Sequence, residues 1–335
     1  MKGKKQAHGR FGLLLAALLL WSLLLWGSRG METPWNETAL DVPASDEPWE
    51  LPPVTAEEPV LLAESAALPP DLPQTAPENA APVLSTAEIG KGADTVYFKN
   101  QTDYEIDMEV LLQKASPVSL GGEGVQVLIM HTHGTEAYTP TEAHPYEASG
   151  EYRTLNRECN MLAVGQLIAD QLNARGISTL HSETLNDYPA YNGSYNRALK
   201  DIQSYLEEYP TIQLILDVHR DAIGTSGNYY KTVAQVDGKQ TAQLMFVTGT
   251  DGGGRNHSDW RENLTFQAQL HQRINQSYPG MMRPISIRTG RFNQHLRRGS
   301  MLVEVGACGN TLEEALAAAE VFAQSLADAL LEAQP

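Results

Sequence analysis

Between residues 31 and 90 the chain carries 11 of its 19 prolines and 12 of its 41 acidic residues, and not one Lys or Arg. Such a stretch cannot bury enough apolar surface to offset the entropy of ordering it, and its like charges push it open. It divides the 335 residues into a short amino-terminal part and one globular unit of about 245 residues, enough for a real core. Lys2, Lys4, Lys5 and Arg10 precede Phe11 to Gly27, a run with no charged residue and just long enough to cross a bilayer. The positive flank predicts a cytoplasmic tail over 1–10, a single membrane span over 11–27, and everything beyond it on the outer face. A cleaved signal peptide is the competing expectation, opposed by the length of the run and the lack of a small-x-small cleavage site. Residues 28–115 read as a Pro- and Glu-rich disordered linker, and 116–335 as the folded domain.

Without the linker acids and the amino-terminal bases, 29 acidic residues stand against 19 Lys and Arg. That balance excludes a nucleic-acid binder, because nothing would replace the counterions condensed on a phosphate backbone. Cys159 and Cys308 are the only cysteines, too few for a disulfide scaffold and without C-x-x-C spacing.

From Val125 short apolar runs alternate with amphipathic ones. Val125–Met130, Ile177–Leu180, Leu214–Val218, Ile285–Ile287 and Met301–Val305 read as strands. Helices are expected where Met161, Val164, Ile168 and Leu172 share a face, over Ser194–Glu208, over Asp259–Ser277, and after Asn310, whose spacing to Glu313 fits a capping box. Lys231–Thr248 breaks the alternation and predicts a pair of hairpin strands around Asp237-Gly238. The fold class is α/β: a three-layer sandwich with a twisted, mainly parallel sheet flanked by helices.

Chemistry in such a sheet belongs just past the carboxyl ends of strands. Three segments place ionisable residues there. His131-Thr132-His133-Gly134-Thr135-Glu136 follows the first strand, with His133 and Glu136 in H-x-x-E spacing. Asp217-Val218-His219-Arg220-Asp221 ends the third. Glu304 stands alone in the apolar run Met301–Val305, where a carboxylate needs a partner or a function. Two imidazoles and one carboxylate with a free fourth position make up many catalytic zinc sites, and a second carboxylate can take a proton from water. Glu158 competes with Glu136 as the third ligand. His131 competes with His133.

These segments also carry a resemblance. HTHGTEAYTP from His131, YNGSYNRA from Tyr191, LDVHRDA from Leu216, WRENL from Trp260, YPG from Tyr278 and LVEVGACGNTLEEA from Leu302 resemble the stage II sporulation protein P family. Members are membrane-anchored peptidoglycan hydrolases related to zinc N-acetylmuramoyl-L-alanine amidases. The resemblance implies a zinc amidase fold, with His133, Glu136 and His219 binding Zn2+ and Glu304 as the catalytic carboxylate. It further implies cleavage between N-acetylmuramic acid and L-alanine, with endopeptidase activity on cross-links as a companion. By the same resemblance the chain would sit in the cell membrane with its catalytic domain outside. It would act in forespore engulfment with stage II sporulation proteins D and M. Arg220, Arg288, Arg291 and Asn293 are candidates for gripping stem-peptide carboxylates, which a guanidinium can bind in a bidentate manner. Two other readings remain open: a non-catalytic wall-binding domain, and a zinc carboxypeptidase or endopeptidase acting on peptides alone.

Overall fold

The structure is a computed structural model that describes residues 96–225 and 228–333. The expected span 11–27 and the spacer up to residue 95 lie outside the described residues. Among the described residues no helix is long and apolar enough to cross a membrane.

The described chain begins with strand β1 (Phe98–Asn100) and a one-turn helix α1 (Met108–Leu112). Then follow β2 (Val127–Met130), α2 (Met161–Ala174), β3 (Thr179–His181), α3 (Ser194–Glu208) and β4 (Leu214–Asp221). Four short strands come next: β5 (Gly224–Thr225), β6 (Asn228–Tyr229), β7 (Val233–Val236) and β8 (Lys239–Ala242). The remainder is β9 (Leu244–Gly249), α4 (Trp260–Ser277), β10 (Ile285–Arg288), a 3-10 turn at Gln294–Leu296, β11 (Met301–Ala307) and α5 (Leu312–Glu332).

Seven strands form one sheet in the order β1-β10-β9-β11-β4-β2-β3. Every neighbouring pair is parallel except β9 with β11. Side chains alternate across the pleat, so each strand feeds two different layers. Ile129, Leu216, Val218, Phe246, Val303 and Val305 point to the face covered by α2, α4 and α5, where they join the main apolar core. Leu128, Met130 and Ile215 point the other way and pack under α3 with Ala198 and Ile202. Beyond α3 that second face is thin: Met245, Val247 and Leu302 are covered by Phe292 of the loop after β10. His219 and Glu304 continue the alternation of Ile215 and Leu302, so both side chains open onto this thinner layer.

Three expectations need correction. The folded domain starts about twenty residues before position 116, because β1 pairs with β10 and α1 packs on α4. Asp237 and Gly238 do turn a hairpin, both at positive φ, but it joins only β7 and β8. Leu244–Gly249 leaves it to enter the main sheet antiparallel to β11, where all six of its residues are buried. The last helix is capped one residue later than expected. Thr311 and Glu314 form the capping box, while the Asn310 side chain accepts from Ala307 N (2.9 Å) and donates to Thr232 O (3.0 Å).

Candidate active site

The cluster is assembled from two strands and one exit loop. β4 and β11 are parallel neighbours whose register places His219 beside Glu304. The loop leaving β2 is tied down over them: Thr132 donates to Asp217 of β4 through its backbone N (2.8 Å) and its Oγ1 (2.7 Å). At Gly134 the loop runs close against Leu185, whose Cδ2 would lie 2.9 Å from an added Cβ.

The loop brings His133 and Glu136 to His219. Glu136 Oε2 lies 3.7 Å from His219 Nδ1. The His133 and His219 rings meet edge to face, centroids 5.3 Å apart. On the far side of His219, Asp217 Oδ1 stands 2.8 Å from Nε2, an ion pair too bent to count as a hydrogen bond. Glu136 is itself held by Arg153 (3.4 Å) and by the backbone N of Arg220 (3.4 Å). Besides His219 Nε2, whose neighbour is the Asp217 carboxylate, two atoms in the cluster are buried with no hydrogen-bond partner, His133 Nδ1 and Glu304 Oε2.

Burial and charge act in opposite directions here. Burial alone would strip the proton from His219, but Asp217, with Glu136 and Glu304 behind it, outweighs burial and pushes it up to about 9. Burial, reinforced by Asp221, pushes the Glu304 carboxyl up to about 8. Burial and the neighbouring His219 hold His133 well below the usual imidazole range. Burial would raise Asp217 too, yet His219 and the two Thr132 bonds keep it low and ionised. Both Glu304 and His219 thus hold their protons more tightly than an ordinary carboxyl or imidazole.

The other candidates fall elsewhere. His131 points to the opposite face of β2, with Nδ1 against Val218 O (2.8 Å) and Nε2 against His181 Nε2 (2.9 Å). Burial and His181 take it down to about 3. Gly165 of α2 lines that pair: a Cβ there would lie 2.5 Å from His131 Nε2 and 2.6 Å from His181 Nε2. Gly165→Ala is expected to destabilise the protein by about 1–3 kcal/mol through overpacking, read as a lower urea midpoint. An unchanged midpoint would contradict this packing. Glu158 is exposed on the approach to α2.

Arg220 is buried and its guanidinium is committed to Ala137 O (3.0 Å) and Tyr152 O (3.0 Å), so it braces the exit loop and has no free fork for a substrate carboxylate. Arg288 pairs with Gly249, four residues along β9 from the Met245 that faces Glu304. That is about 13 Å at the usual rise per strand residue. The half-buried Arg291 donates to Asn256 O (3.4 Å). Asn293 donates to Tyr195 O (2.9 Å), and the Tyr195 ring lies against His133.

Sequence reasoning assigned no role to Asp217 or Arg153. Asp217 stands two positions before His219 in a strand buried from Leu214 to Arg220, and that D-x-H spacing in an apolar run is a signal. Arg153 is joined to Glu136 by an isolated bridge across an irregular loop, which no local pattern announces.

The stage II sporulation protein P family model matches residues 73–327, more than half of the chain. The chain belongs to that family. It is 30% identical over 239 residues to stage II sporulation protein P of Bacillus subtilis (strain 168), an alignment covering 65% of this chain and 55% of that relative. The chain thus matches about half of the relative's length. Among solved structures it aligns with the N-acetylmuramoyl-L-alanine amidase AmiC2 of Nostoc punctiforme at TM-score 0.36 and 14% identity, covering 63% of this chain and 98% of that one. It aligns with the catalytic domain of the amidase CwlV from Bacillus (Paenibacillus) polymyxa var. colistinus at TM-score 0.37 and 14% identity, covering 62% and 97%.

Among the described residues no three His, Cys, Asp or Glu side chains are drawn together tightly enough to form a ready-made metal cluster. The donor chemistry of the site does fit a cation. Two ligands of a tetrahedral zinc at about 2.0–2.1 Å stand roughly 3.3 Å apart, close to the 3.7 Å between His219 and Glu136. The partnerless His133 Nδ1 gives a third donor, and the Asp217–His219 contact matches the carboxylate that orients metal-binding histidines.

Proposed function

We propose that this domain is a peptidoglycan hydrolase that cleaves the amide between N-acetylmuramic acid and the L-alanine of the stem peptide. In this reading zinc is held by His133, Glu136 and His219. The observation that carries it is the pair of buried, partnerless atoms, His133 Nδ1 and Glu304 Oε2, beside the His219–Glu136 contact. Buried polar atoms are nearly always satisfied, and a cation with its water would satisfy both. Family membership supports the choice of substrate.

When bound, zinc would supply Lewis acidity for the scissile carbonyl and make water more acidic. The protein does the rest. Glu304 takes the proton of the attacking water and passes it to the nitrogen of L-alanine as the C–N bond breaks, leaving a lactyl carboxylate and a free amine. Its raised proton affinity suits that exchange near neutrality. Asp217 keeps the His219 ring turned, and Arg153 does the same for the Glu136 carboxylate. Anchoring by residues 11–27, with the domain outside the cell membrane, belongs to the same proposal, as does work alongside stage II sporulation proteins D and M during engulfment.

Incubating the full chain with peptidoglycan tests the reaction. New lactyl carboxylates and free L-alanine amines are expected. Shortened peptides alone would indicate a peptidase, and absence of any release a wall-binding protein. Zinc uptake is also expected to release protons at pH 7, because His219 must lose the proton it holds up to about 9 before it can bind a metal. Calorimetry in buffers of different ionisation enthalpy reads this directly. Equal heats in every buffer would contradict it.

A further inference from the structure

A metal-binding imidazole is normally fixed by a hydrogen bond from its other ring nitrogen to a carboxylate or carbonyl. His219 has the Asp217 carboxylate in that place, as an ion-pair partner 2.8 Å from Nε2. His133 has nothing of the kind: its buried Nδ1 is the atom left for the metal, and no carboxylate or carbonyl among the described residues is bonded to the other side of its ring.

What surrounds His133 is aromatic. The Tyr191 ring lies flat on the imidazole, centroids 4.6 Å apart and planes within 8°. Tyr195 meets it edge-on at 5.6 Å. Arg153 sits over Tyr191 at 4.9 Å, and the same guanidinium reaches Glu136 (3.4 Å) and Asp187 (2.5 Å). We infer that Tyr191 is the positioning residue of His133, stacking in place of the missing hydrogen bond, with Arg153 clamping the tyrosine and Glu136 together.

The loop that bears Tyr191 is built for this. Arg197 donates to the carbonyls of Asn186 (2.6 Å), Asn192 (3.1 Å) and Ala190, fixing the backbone on both sides of the tyrosine. Asp187 is anchored to Thr135 N (3.1 Å) and Thr135 Oγ1 (2.6 Å), so the tyrosine loop and the exit loop of β2 move as one piece. Tyr191 is nevertheless 41% exposed, so it contributes little to the core, and its loss should not unfold the domain. Aromatic stacking fixes both the tilt and the distance of a ring, whereas a single hydrogen bond leaves rotation about its axis.

The inference rests on the reading of His133 as a metal ligand, and the test separates the two. Zinc affinity of the full chain is measured by chelator competition for wild type, Tyr191→Ala and Tyr191→Phe, alongside the NMR signals of the His133 ring in metal-free protein. The alanine variant is expected to lose about 10–100-fold in zinc affinity, the range found when an outer partner of a ligand is removed. Tyr191→Phe should stay within about threefold of wild type, since it keeps the ring. In metal-free protein the His133 signals should lose their upfield ring-current shift in the alanine variant and keep it in the phenylalanine one. Unchanged His133 signals in Tyr191→Ala would overturn the inference. So would wild-type affinity in that variant, or an equal loss in Tyr191→Phe, which would put the role in the hydroxyl. If wild type takes up no zinc, the functional reading fails, and the NMR comparison still decides whether Tyr191 orders the ring.

Discussion

Replacing Glu304 by glutamine is expected to abolish most hydrolysis, by about 10²–10⁴-fold, while zinc content stays at the wild-type level. The amide keeps the shape of the side chain but cannot accept the proton of water, and it is not among the three proposed ligands. The same variant has a second, opposite effect on the metal-free protein. Glu304 has its folded-state proton affinity raised to about 8, against an ordinary carboxyl near 4.5. Between those values the folded state holds more protons than the unfolded one, so its stabilisation is complete below about pH 4.5 and is lost as pH rises through about 8. Metal-free wild type should thus melt at a lower temperature at pH 8.5 than at pH 5. Glu304→Gln should flatten that decline by a few kcal/mol, about 1.4 for each pH unit of raised affinity. His219, pushed up to about 9, adds a decline of the same sign that the variant retains. A Glu304→Gln protein that hydrolyses peptidoglycan normally would remove Glu304 from the mechanism. One that melts with the wild-type pH profile would contradict its burial.

His219→Ala is expected to lose zinc, activity and stability together. Both members of the Asp217–His219 pair are almost fully buried, at 4% and 3% exposure. Removing the imidazole leaves Asp217 with its two Thr132 bonds and no counter-charge. Breaking a buried pair in this way costs about 3–5 kcal/mol, and the loss should appear in metal-free protein by urea denaturation. Asp217→Asn separates the two roles of the pair. It keeps a polar partner for Thr132 Oγ1, and His219, freed of the Asp217 charge that raised it, can shed its proton, so it should weaken zinc binding by about 10–100-fold with a smaller loss of stability. Equal stability losses in the two variants would show that Asp217 serves packing only.

The long amphipathic and apolar runs could be read from the chain because their periodicity is strong. Ser194–Glu208 is a helix over its whole predicted length, and the helix expected over Asp259–Ser277 runs from Trp260 to Ser277. What escaped notice was short or depended on distant contacts. All three residues of β1 are exposed, so no apolar alternation marks them, and only the edge of β10 gives them a place. β9 looks like a hairpin partner because it follows Asp237-Gly238 so closely, yet its uninterrupted burial belongs to a central strand. Asn310 and Thr311 both suit a cap. The tie is broken by the backbone N of Ala307, which claims Asn310. The residues His133, Glu136, His219 and Glu304 could be singled out because polar side chains at apolar strand ends are conspicuous. Arg153 and the stacking of Tyr191 could not, since both arise where irregular loops meet.

Elemental analysis of the purified, extensively dialysed full chain tests the central claim most directly. The account predicts one zinc per chain in wild type, retained in Glu304→Gln and absent from His219→Ala. Active protein that carries no transition metal would contradict it.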